Sequence, residues 1–364
     1  MLKGVKVLDL TRVLAGPVCT MMLGDLGADV IKVERPGTGD ETRGWGPPFD
    51  GRGESAYYLS INRNKLSVAA DLDIPADRAL LESLVEDADV VVDNYRPGTL
   101  ERRGLGAGQL RSRHQRLIWC TITGFGPASD RPGYDFVIQA ERGWMSITGE
   151  RDGSPTKVGV ALADVIAGKD ATIAILGALV ARSATGVGQL VSISLARSAA
   201  AALVNVAQNV LVTGRDAARW GNAHPNLVPY QLFAAADRPI VVAVGSDAQW
   251  QACARALELP GLASDPGLAT NSGRLARRDH VVAAMADRLR ELPAAEWARR
   301  LDAANVPNGV VKTVLEALRE EPASELTGVA PSVPGSVRFP PPRLDEHGEV
   351  VRSKGWAAFD ELRR

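Results

Sequence analysis

The chain has 364 residues, a formal net charge of −1 at pH 7 and three cysteines. Single cores rarely grow beyond about 250–300 residues, so this length predicts two domains or one elaborated α/β domain. The near-neutral charge, without any long basic run, argues against a nucleic-acid-binding protein that neutralises phosphates.

The cysteines and the apolar runs indicate in which cellular compartment the protein is expected. Cys19, Cys120 and Cys253 lie far apart in apolar stretches, which is typical of reduced core residues and predicts a cytoplasmic protein. No stretch approaches about 18 consecutive apolar residues, and the first residues lack the pattern of a signal peptide. We therefore predict neither a membrane span nor a membrane partner.

In residues 1–195, short β-branched runs alternate with stretches of helical length. This alternation predicts an α/β domain with a largely parallel sheet and crossover helices. One crossover helix is expected to begin at Pro75, where leucines and a valine then repeat at three-to-four spacing. The predicted strands are 5–10, 28–33, 67–70, 89–92, 117–121 and 189–194.

The second half of the chain has a different pattern. Residues 196–223 are Ala-rich and predict a linker helix, which His224-Pro225 would end. Residues 224–319 predict a smaller α+β domain, because a hairpin signature at 235–238 lies between two strand-like runs and helical patterns follow. The tail, 320–364, is expected to complete the first domain. Its segment 332–344 is Pro-rich, with one strand-like patch at 336–339.

Metal, hydrolase and dinucleotide sites have restrictive spacings, and the sequence matches none of them. The four histidines are scattered and no Cys-x-x-Cys pair occurs, so no metal site is predicted. No Gly-x-Ser-x-Gly elbow is present. The first strand–turn–helix, residues 10–17, lacks Gly-x-Gly-x-x-Gly, so the Rossmann-like alternation alone does not imply NAD.

Asp164 is a single acid in an apolar, small-residue stretch, residues 158–168, just before a long helical segment. One interpretation is a helix cap. The other is a nucleophile, because a helix N-terminus favours an ionised carboxylate and a desolvated carboxylate can attack an activated acyl group. The two interpretations are compatible, and composition does not choose between them.

Several ordered motifs resemble those of the family III CoA-transferases, the formyl-CoA and carnitine CoA-transferase group. The resemblance extends over nearly the whole chain. It is carried by Gly133-Tyr134-Asp135, the Asp164 segment and residues 4–12, 23–36, 94–98, 219–224 and 228–231.

This resemblance implies a large Rossmann-like domain built from both chain ends, a smaller α+β domain, and an interlocked homodimer. No permanently bound cofactor is implied, because coenzyme A or acyl-CoA is itself the substrate. The implied reaction begins when Asp164 attacks an acyl-CoA thioester, giving a mixed anhydride and CoA thiolate. The thiolate then attacks the aspartyl carbonyl, which releases the first acid and leaves an aspartyl-CoA thioester. The acceptor carboxylate reverses this sequence and leaves as the new acyl-CoA.

Coenzyme A carries phosphates, so basic side chains at strand ends are expected to hold it. An alternative for Arg102 is a solvated helix face beside Glu101 and Arg103. The resemblance places the following residues at the CoA site: Arg35, Asn94, Arg102, Leu14, Ala70 and Tyr134.

Acyl-CoA racemases share the scaffold and are the alternative function. Their Gly-x-Asp motif carries a proton-transferring histidine where this chain has Tyr134, and a phenol with a pKa near 10 replaces imidazole poorly. We therefore favour the transferase. A non-catalytic CoA-binding regulator is a third possibility, which the presence of Asp164 disfavours.

Residues 40–49 and 57–65 are similar to the branch that uses succinyl-CoA and other dicarboxylates, including glutarate-type acceptors. A second carboxylate needs a cation, and a guanidinium can bind it through two hydrogen bonds. Arg43 and Arg63 are the candidates, with His224 and Tyr230 completing the pocket. The alternative for Arg63 is an ordinary surface cation in a loop.

Overall fold

The fold was analysed in a computed structural model, which describes residues 1–363. The chain divides into two compact units: the first comprises residues 1–144, 157–215 and 321–363, and the second comprises 145–156 and 216–320. Among the described residues no single helix is long and apolar enough to cross a bilayer. The helices Leu195–Ala201 and Val204–Thr213 have the required length and composition when taken together, but they are bent by 73° relative to each other.

The first unit is built on a six-stranded parallel sheet of order β3-β2-β1-β4-β5-β6. Each of the six runs predicted as strands forms one of them, which confirms the parallel α/β prediction. The strands are β1 Lys6–Leu10, β2 Asp29–Glu34, β3 Lys65–Ala69, β4 Val90–Asp93, β5 Ile118–Thr123 and β6 Leu190–Ser194. Further short strands are β10 Ala323–Ser324 and β11 Gly328–Val329.

Seventeen α-helices are present in the described residues, and the helix predicted from Pro75 is α3. Those of the first unit are α1 Ala15–Asp25, α2 Ala56–Leu59, α3 Pro75–Glu86, α4 Ala107–Arg113, α5 Asp135–Glu141, α7 Leu162–Thr185, α8 Leu195–Ala201, α9 Val204–Thr213, α16 Gly348–Lys354 and α17 Ala358–Leu362; α6 is Trp144–Ile147. Those of the second unit are α10 Asp247–Ala256, α11 Pro260–Ser264, α12 Asn271–Ala276, α13 Arg278–Leu289, α14 Ala294–Ala303 and α15 Val314–Leu318.

Helices cover both faces of the parallel sheet. Val7 and Leu8 are both fully buried but belong to different core clusters, since successive side chains of a strand point to opposite faces. One cluster contains residues of α1 and α7, and the other contains residues of α3, α4, α16 and α17. The tail completes the second cluster, where Trp356 donates from its indole Nε1 to the carbonyl of Leu84 at 2.9 Å.

The strand order creates a switch point between β1 and β4. The chain adds β2 and β3 on one side of β1 and then returns to place β4 on the other side. In doubly wound sheets, ligands bind outside the carboxyl ends of strands at this position. The residues after Leu10 and after Asp93 therefore mark the expected site.

The second unit has an antiparallel sheet of order β7-β8-β9, formed by β7 Tyr230–Ala234, β8 Pro239–Ala243 and β9 Asn308–Val310. The predicted hairpin is confirmed, because β7 and β8 pair on either side of residues 235–238. Trp250, Met285 and Trp297 are fully buried in the core beneath this sheet.

Three details differ from the sequence predictions. The predicted linker helix is broken between α8 and α9, where Val204 has φ +42°, and it ends at Gly214, whose φ of +64° closes α9. Residues 145–156 belong to the second unit, where Arg219 donates to the carbonyls of Glu150 and Gly153. Residues 336–339 form no strand, because their backbone bonds to the Asn64 side chain and to other loop atoms.

Candidate active site

A pocket opens at the predicted switch point, and Asp164 lines it. The other walls come from the segments that follow β1 and β4, from the end of β5, and from the loop 129–134. Its lining contains no histidine. The pocket thus brings together Arg12 and Leu195, which are 183 residues apart in sequence, as a parallel sheet does at its carboxyl edge.

Asp164 lies in the first turn of α7 but does not cap it. The cap is Asp135, whose Oδ1 accepts hydrogen bonds from the backbone N of Ala163 at 2.7 Å and of Asp164 at 3.3 Å. The capping interpretation of Asp164 was therefore wrong. Within residues 1–363 no group donates a hydrogen bond to the Asp164 carboxylate, which leaves it open to a ligand.

The surroundings of Asp164 disfavour its charge. Burial, and then the negative charge of Asp135, raise the pKa of the Asp164 carboxyl from 3.8 to about 7. Asp135 is itself held in place by the fully buried Gln139, which donates to its Oδ2 at 2.6 Å. Asp135 thus caps α7 and also raises the energy of the ionised Asp164. In the sequence, Asp135 stands out only as part of a motif.

Tyr57 is a second neighbour that sequence reasoning missed. It packs against Leu14 and Ile61, and its ring meets that of Trp45 edge-on at 5.1 Å. Burial, and then the charge of Asp164, raise the pKa of the Tyr57 phenol to about 12. Tyr57 lies in a segment that resembles a known branch of the family, but nothing in its local pattern singled it out.

Three of the predicted CoA residues line the same pocket as Asp164. Leu14 is nearly buried at the start of α1, and Tyr134 is 61% exposed. Asn94 lines it too, but its amide is already engaged: Oδ1 accepts from the backbone N of Arg12 at 3.0 Å, and Nδ2 donates to the Arg12 carbonyl at 2.7 Å. The Asn94 side chain therefore joins the ends of β1 and β4.

Two further cavities continue from this pocket along the carboxyl edge of the sheet. Arg12 and Tyr95 line all three cavities, and Arg35 lines both of the further ones. Arg35 and Arg96 are exposed, and neither side chain makes a hydrogen bond or ion pair with residues 1–363. Ala70, also predicted at the CoA site, lies in the wall of the same groove.

Arg102 is the predicted CoA residue that the structure does not place there. It is exposed and is not part of the cavity lining, whereas its neighbour Arg103 lines the groove and pairs with Asp73 at 2.8 Å. The two arginines lie in a short 3₁₀ helix, Glu101–Arg103, so consecutive side chains point in different directions.

Arg43 and Arg63 are not free cations. Arg43 is 9% exposed and donates to Glu34 and Glu54, with distances of 2.7–2.8 Å to their carboxylate oxygens. Arg63 is 4% exposed and binds both oxygens of Asp25, at 3.0 and 2.7 Å. These carboxylates occupy the guanidinium groups, so neither arginine is retained as a substrate ligand.

His224 and Tyr230 belong to the second unit, where their rings are in tilted contact at 5.2 Å. The backbone N of His224 donates to the carbonyl of Tyr230 at 2.9 Å. Their predicted role toward substrate stays a prediction.

Known proteins similar to this chain are CoA-transferases. The family model for CoA-transferase family III matches residues 2–347. The chain is 42% identical over 322 residues to human succinyl-CoA:glutarate CoA-transferase, covering 88% of this chain and 73% of that protein. It is 45% identical over 288 residues to the succinate–glutarate CoA-transferase of Agrobacterium fabrum, covering 77% and 72%.

A solved structure shares the fold over nearly its whole length. The crystal structure of a CAIB/BAIF family protein from Brucella suis superposes with a TM-score of 0.87 at 38% identity, covering 97% of this chain and 98% of that chain. Together with the family match and an unbonded aspartate at the switch point, these comparisons show that the chain is a transferase and belongs to the family III CoA-transferases.

Proposed function

We propose that this protein transfers coenzyme A from succinyl-CoA to a dicarboxylic acid, with Asp164 as the nucleophile. The substrate class is supported by the names of its relatives, which act on succinate and glutarate. The single structural observation behind the mechanism is the Asp164 carboxylate, which has no hydrogen-bond donor among the described residues and lies in a pocket that continues into a groove lined by Arg35 and Arg96.

The reaction conserves the thioester bond energy and needs no other reactant. The Asp164 oxygen attacks the acyl carbonyl, the C–S bond breaks, and CoA leaves as a thiolate. The thiolate attacks the aspartyl carbonyl of the mixed anhydride, which releases the donor acid and forms an aspartyl-CoA thioester. The acceptor carboxylate repeats these two steps in reverse and restores the Asp164 carboxylate.

The pKa of Asp164 fits this role. A carboxylate with a pKa of about 7 is a stronger base than an ordinary aspartate and still loses its proton near neutral pH. Buried surroundings also weaken its solvation, which leaves the ionised oxygen more reactive towards an acyl group.

The groove supplies a place for the phosphates of CoA. Arg35 and Arg96 have no protein anion bonded to them, so both can pair with phosphate oxygens. Arg96 also lines the Asp164 pocket and Arg12 lines all three cavities, so these two residues lie where the groove meets that pocket. We place the phosphates at Arg35 and Arg96 and the thiol end at Asp164.

We also propose that two copies form the interlocked homodimer implied by the resemblance. Helix α9 buries none of its residues in the described chain, and Val204, Leu211 and Val212 are 70–76% exposed. On α7, Ile173 and Val180 are 67% and 71% exposed. Apolar side chains at this density are typical of a subunit interface, and sedimentation of the purified protein tests it.

The mechanism is tested by mass spectrometry with Asp164→Asn and a matched control. Wild-type protein with succinyl-CoA and glutarate should form glutaryl-CoA, and quenched samples should carry an adduct on the peptide containing Asp164. Asp164→Asn should lose both but still bind CoA. The control, Asp170→Asn, changes an acid of the same helix that bonds to Ser198, and should keep activity. Transfer at the wild-type rate by Asp164→Asn would refute the nucleophile.

A further inference from the structure

One turn beside the active site is held almost entirely by side chains. It consists of Thr11, Arg12 and Val13, called here the 11–13 turn, and it joins β1 to α1. Val13 has φ +71°, a left-handed conformation that β-branched residues rarely adopt. Such backbone strain persists only where the surroundings impose it, and it is most common at functional sites.

Side chains from four segments bind the backbone of this turn. Asn94 holds Arg12 on both sides, as described above, and Asp9 Oδ1 accepts from the backbone N of Thr11 at 2.9 Å. Lys32 Nζ donates to the Thr11 carbonyl at 2.7 Å. Both carboxylate oxygens of Asp40 accept from the backbone N of Val13, at 3.2 and 3.3 Å.

Lys32 and Asp40 are also bonded to each other. Lys32 Nζ lies 3.1 Å from Asp40 Oδ2, and both side chains are fully buried. One ion pair thus holds the turn at two points, the Thr11 carbonyl and the strained Val13 amide. Thr42 fixes Asp40 further by donating to Oδ1 from its backbone N and its hydroxyl, at 3.0 and 2.9 Å.

The turn determines one wall of the reactive pocket. Val13 lines this pocket, as do Leu14 and Ala15, which follow directly. A shift of about 1 Å in such a wall can reduce a rate about 100-fold, because the attack on the acyl carbonyl requires close alignment. Groups that fix the turn can therefore affect the rate through the pocket wall.

We propose that Lys32 and Asp40 are positioning residues, whose buried ion pair holds the 11–13 turn in the shape that the Asp164 pocket requires. The inference rests on the proposed role of Asp164. A positioning role differs from a purely stabilising role in one respect. An apolar pair could restore the stability of the protein but not the shape of the turn, because apolar side chains offer neither a donor for Thr11 nor an acceptor for Val13.

The test is the double variant Lys32→Met/Asp40→Leu. Replacing a buried ion pair by apolar residues of similar size is often neutral for stability, but here the Thr11 carbonyl and the Val13 amide also lose their partners, so we expect a lower melting temperature. At a temperature where the variant stays folded, we expect a kcat at least tenfold lower and a dissociation constant for free CoA within threefold. A second variant, Lys32→Met/Asp40→Asn, returns an acceptor oxygen for Val13 and should recover part of the lost kcat.

The matched control is Arg182→Met/Asp89→Leu, which removes a largely buried ion pair of 2.8 Å from the opposite, amino-terminal edge of the same sheet. Its kcat should stay within twofold of the wild type. The proposal would be overturned if Lys32→Met/Asp40→Leu kept the wild-type kcat, or if the control lost as much kcat as this variant. It would also be overturned if Lys32→Met/Asp40→Asn were no faster than Lys32→Met/Asp40→Leu.

Hydrogen exchange separates this inference from the proposed function. The Val13 amide should exchange at least tenfold faster in Lys32→Met/Asp40→Leu and at the wild-type rate in the control. This readout needs no substrate, so it decides whether the pair holds the turn even if the wild type fails to transfer CoA from succinyl-CoA. Unchanged exchange at Val13 would refute the inference by itself.

Discussion

The pairing of two acids at the nucleophile can be tested with Asp135→Asn. This change removes the charge nearest Asp164 but keeps the side-chain shape, and the remaining Oδ1 can still accept from the backbone N of Ala163. The start of α7 should therefore stay capped. The variant loses one negative charge beside the reactive carboxylate, and also the hydrogen bond from Gln139, which the new amide nitrogen cannot accept.

The expected change in the pKa of Asp164 follows from the causes that raise this pKa in the wild type. The pKa of Asp164 rises from 3.8 to about 7, and the charge of Asp135 contributes less to this rise than burial does. Removing that charge should lower the pKa by less than half of the rise, at most ~1.5, which corresponds to ~2 kcal/mol between the two protonation states. Burial remains, so the pKa should stay above 3.8.

The assay is the pH dependence of kcat/KM with succinyl-CoA at constant ionic strength. The attacking form is ionised, so activity should rise with pH through about 7 in the wild type, and at lower pH in Asp135→Asn. Asp170→Asn should leave the profile unchanged. If the acid limb of Asp135→Asn stays where it is or moves to higher pH, the electrostatic role of Asp135 is refuted.

Three more predictions follow from the same site and its surroundings. Burial of the ionised Asp164 lowers the free energy of unfolding as pH rises from about 4 to about 7. In urea unfolding, Asp164→Asn should therefore be ~2–4 kcal/mol more stable than the wild type at pH 8 and little different at pH 4. Equal gains at both pH values would contradict this. Measured by calorimetry, Arg96→Met should weaken CoA binding about tenfold, whereas Arg102→Met should change it less than twofold. A larger effect of Arg102→Met than of Arg96→Met would show that Arg102 binds CoA. Arg43→Met leaves the buried carboxylates of Glu34 and Glu54 unpaired, so it should cost ~3–5 kcal/mol of stability. The KM of the folded enzyme for the acceptor acid should not change, and a raised KM would indicate that Arg43 binds substrate.

The fold was predictable where local pattern is sufficient. Strands buried on both faces read as nearly continuous apolar runs, so β1 and β4 were recognisable from Val5–Leu10 and from the valines at 90–92. The broken linker and the tail were not, because their structure depends on a left-handed Val204 and on the distant Asn64 side chain. Neither dependence is visible within a short window of sequence.

Local sequence pattern predicted only the main residue of the site, and the family resemblance supplied the predicted CoA residues that line its cavities. Asp164 stood out because it is an isolated acid among small apolar residues. Its partner Asp135 is 29 residues away and Tyr57 more than 100, so their proximity depends on how the sheet brings segments together. Arg43 and Arg63 failed for the converse reason: a sequence shows a cation but not the carboxylate that already binds it.

The return of the tail to the first unit has a consequence for the order in which this protein is made. Trp356 caps a core that begins with β1, and its partner Leu84 precedes it by 272 residues. At about 5–20 residues per second, a ribosome needs roughly 15–50 s to cover that interval. During this interval, one face of the sheet lacks the cover that α16 and α17 provide, while all of residues 216–320 emerge and can fold. A chain stalled before Phe359 therefore presents an unfinished apolar surface to the chaperones and proteases of the cell.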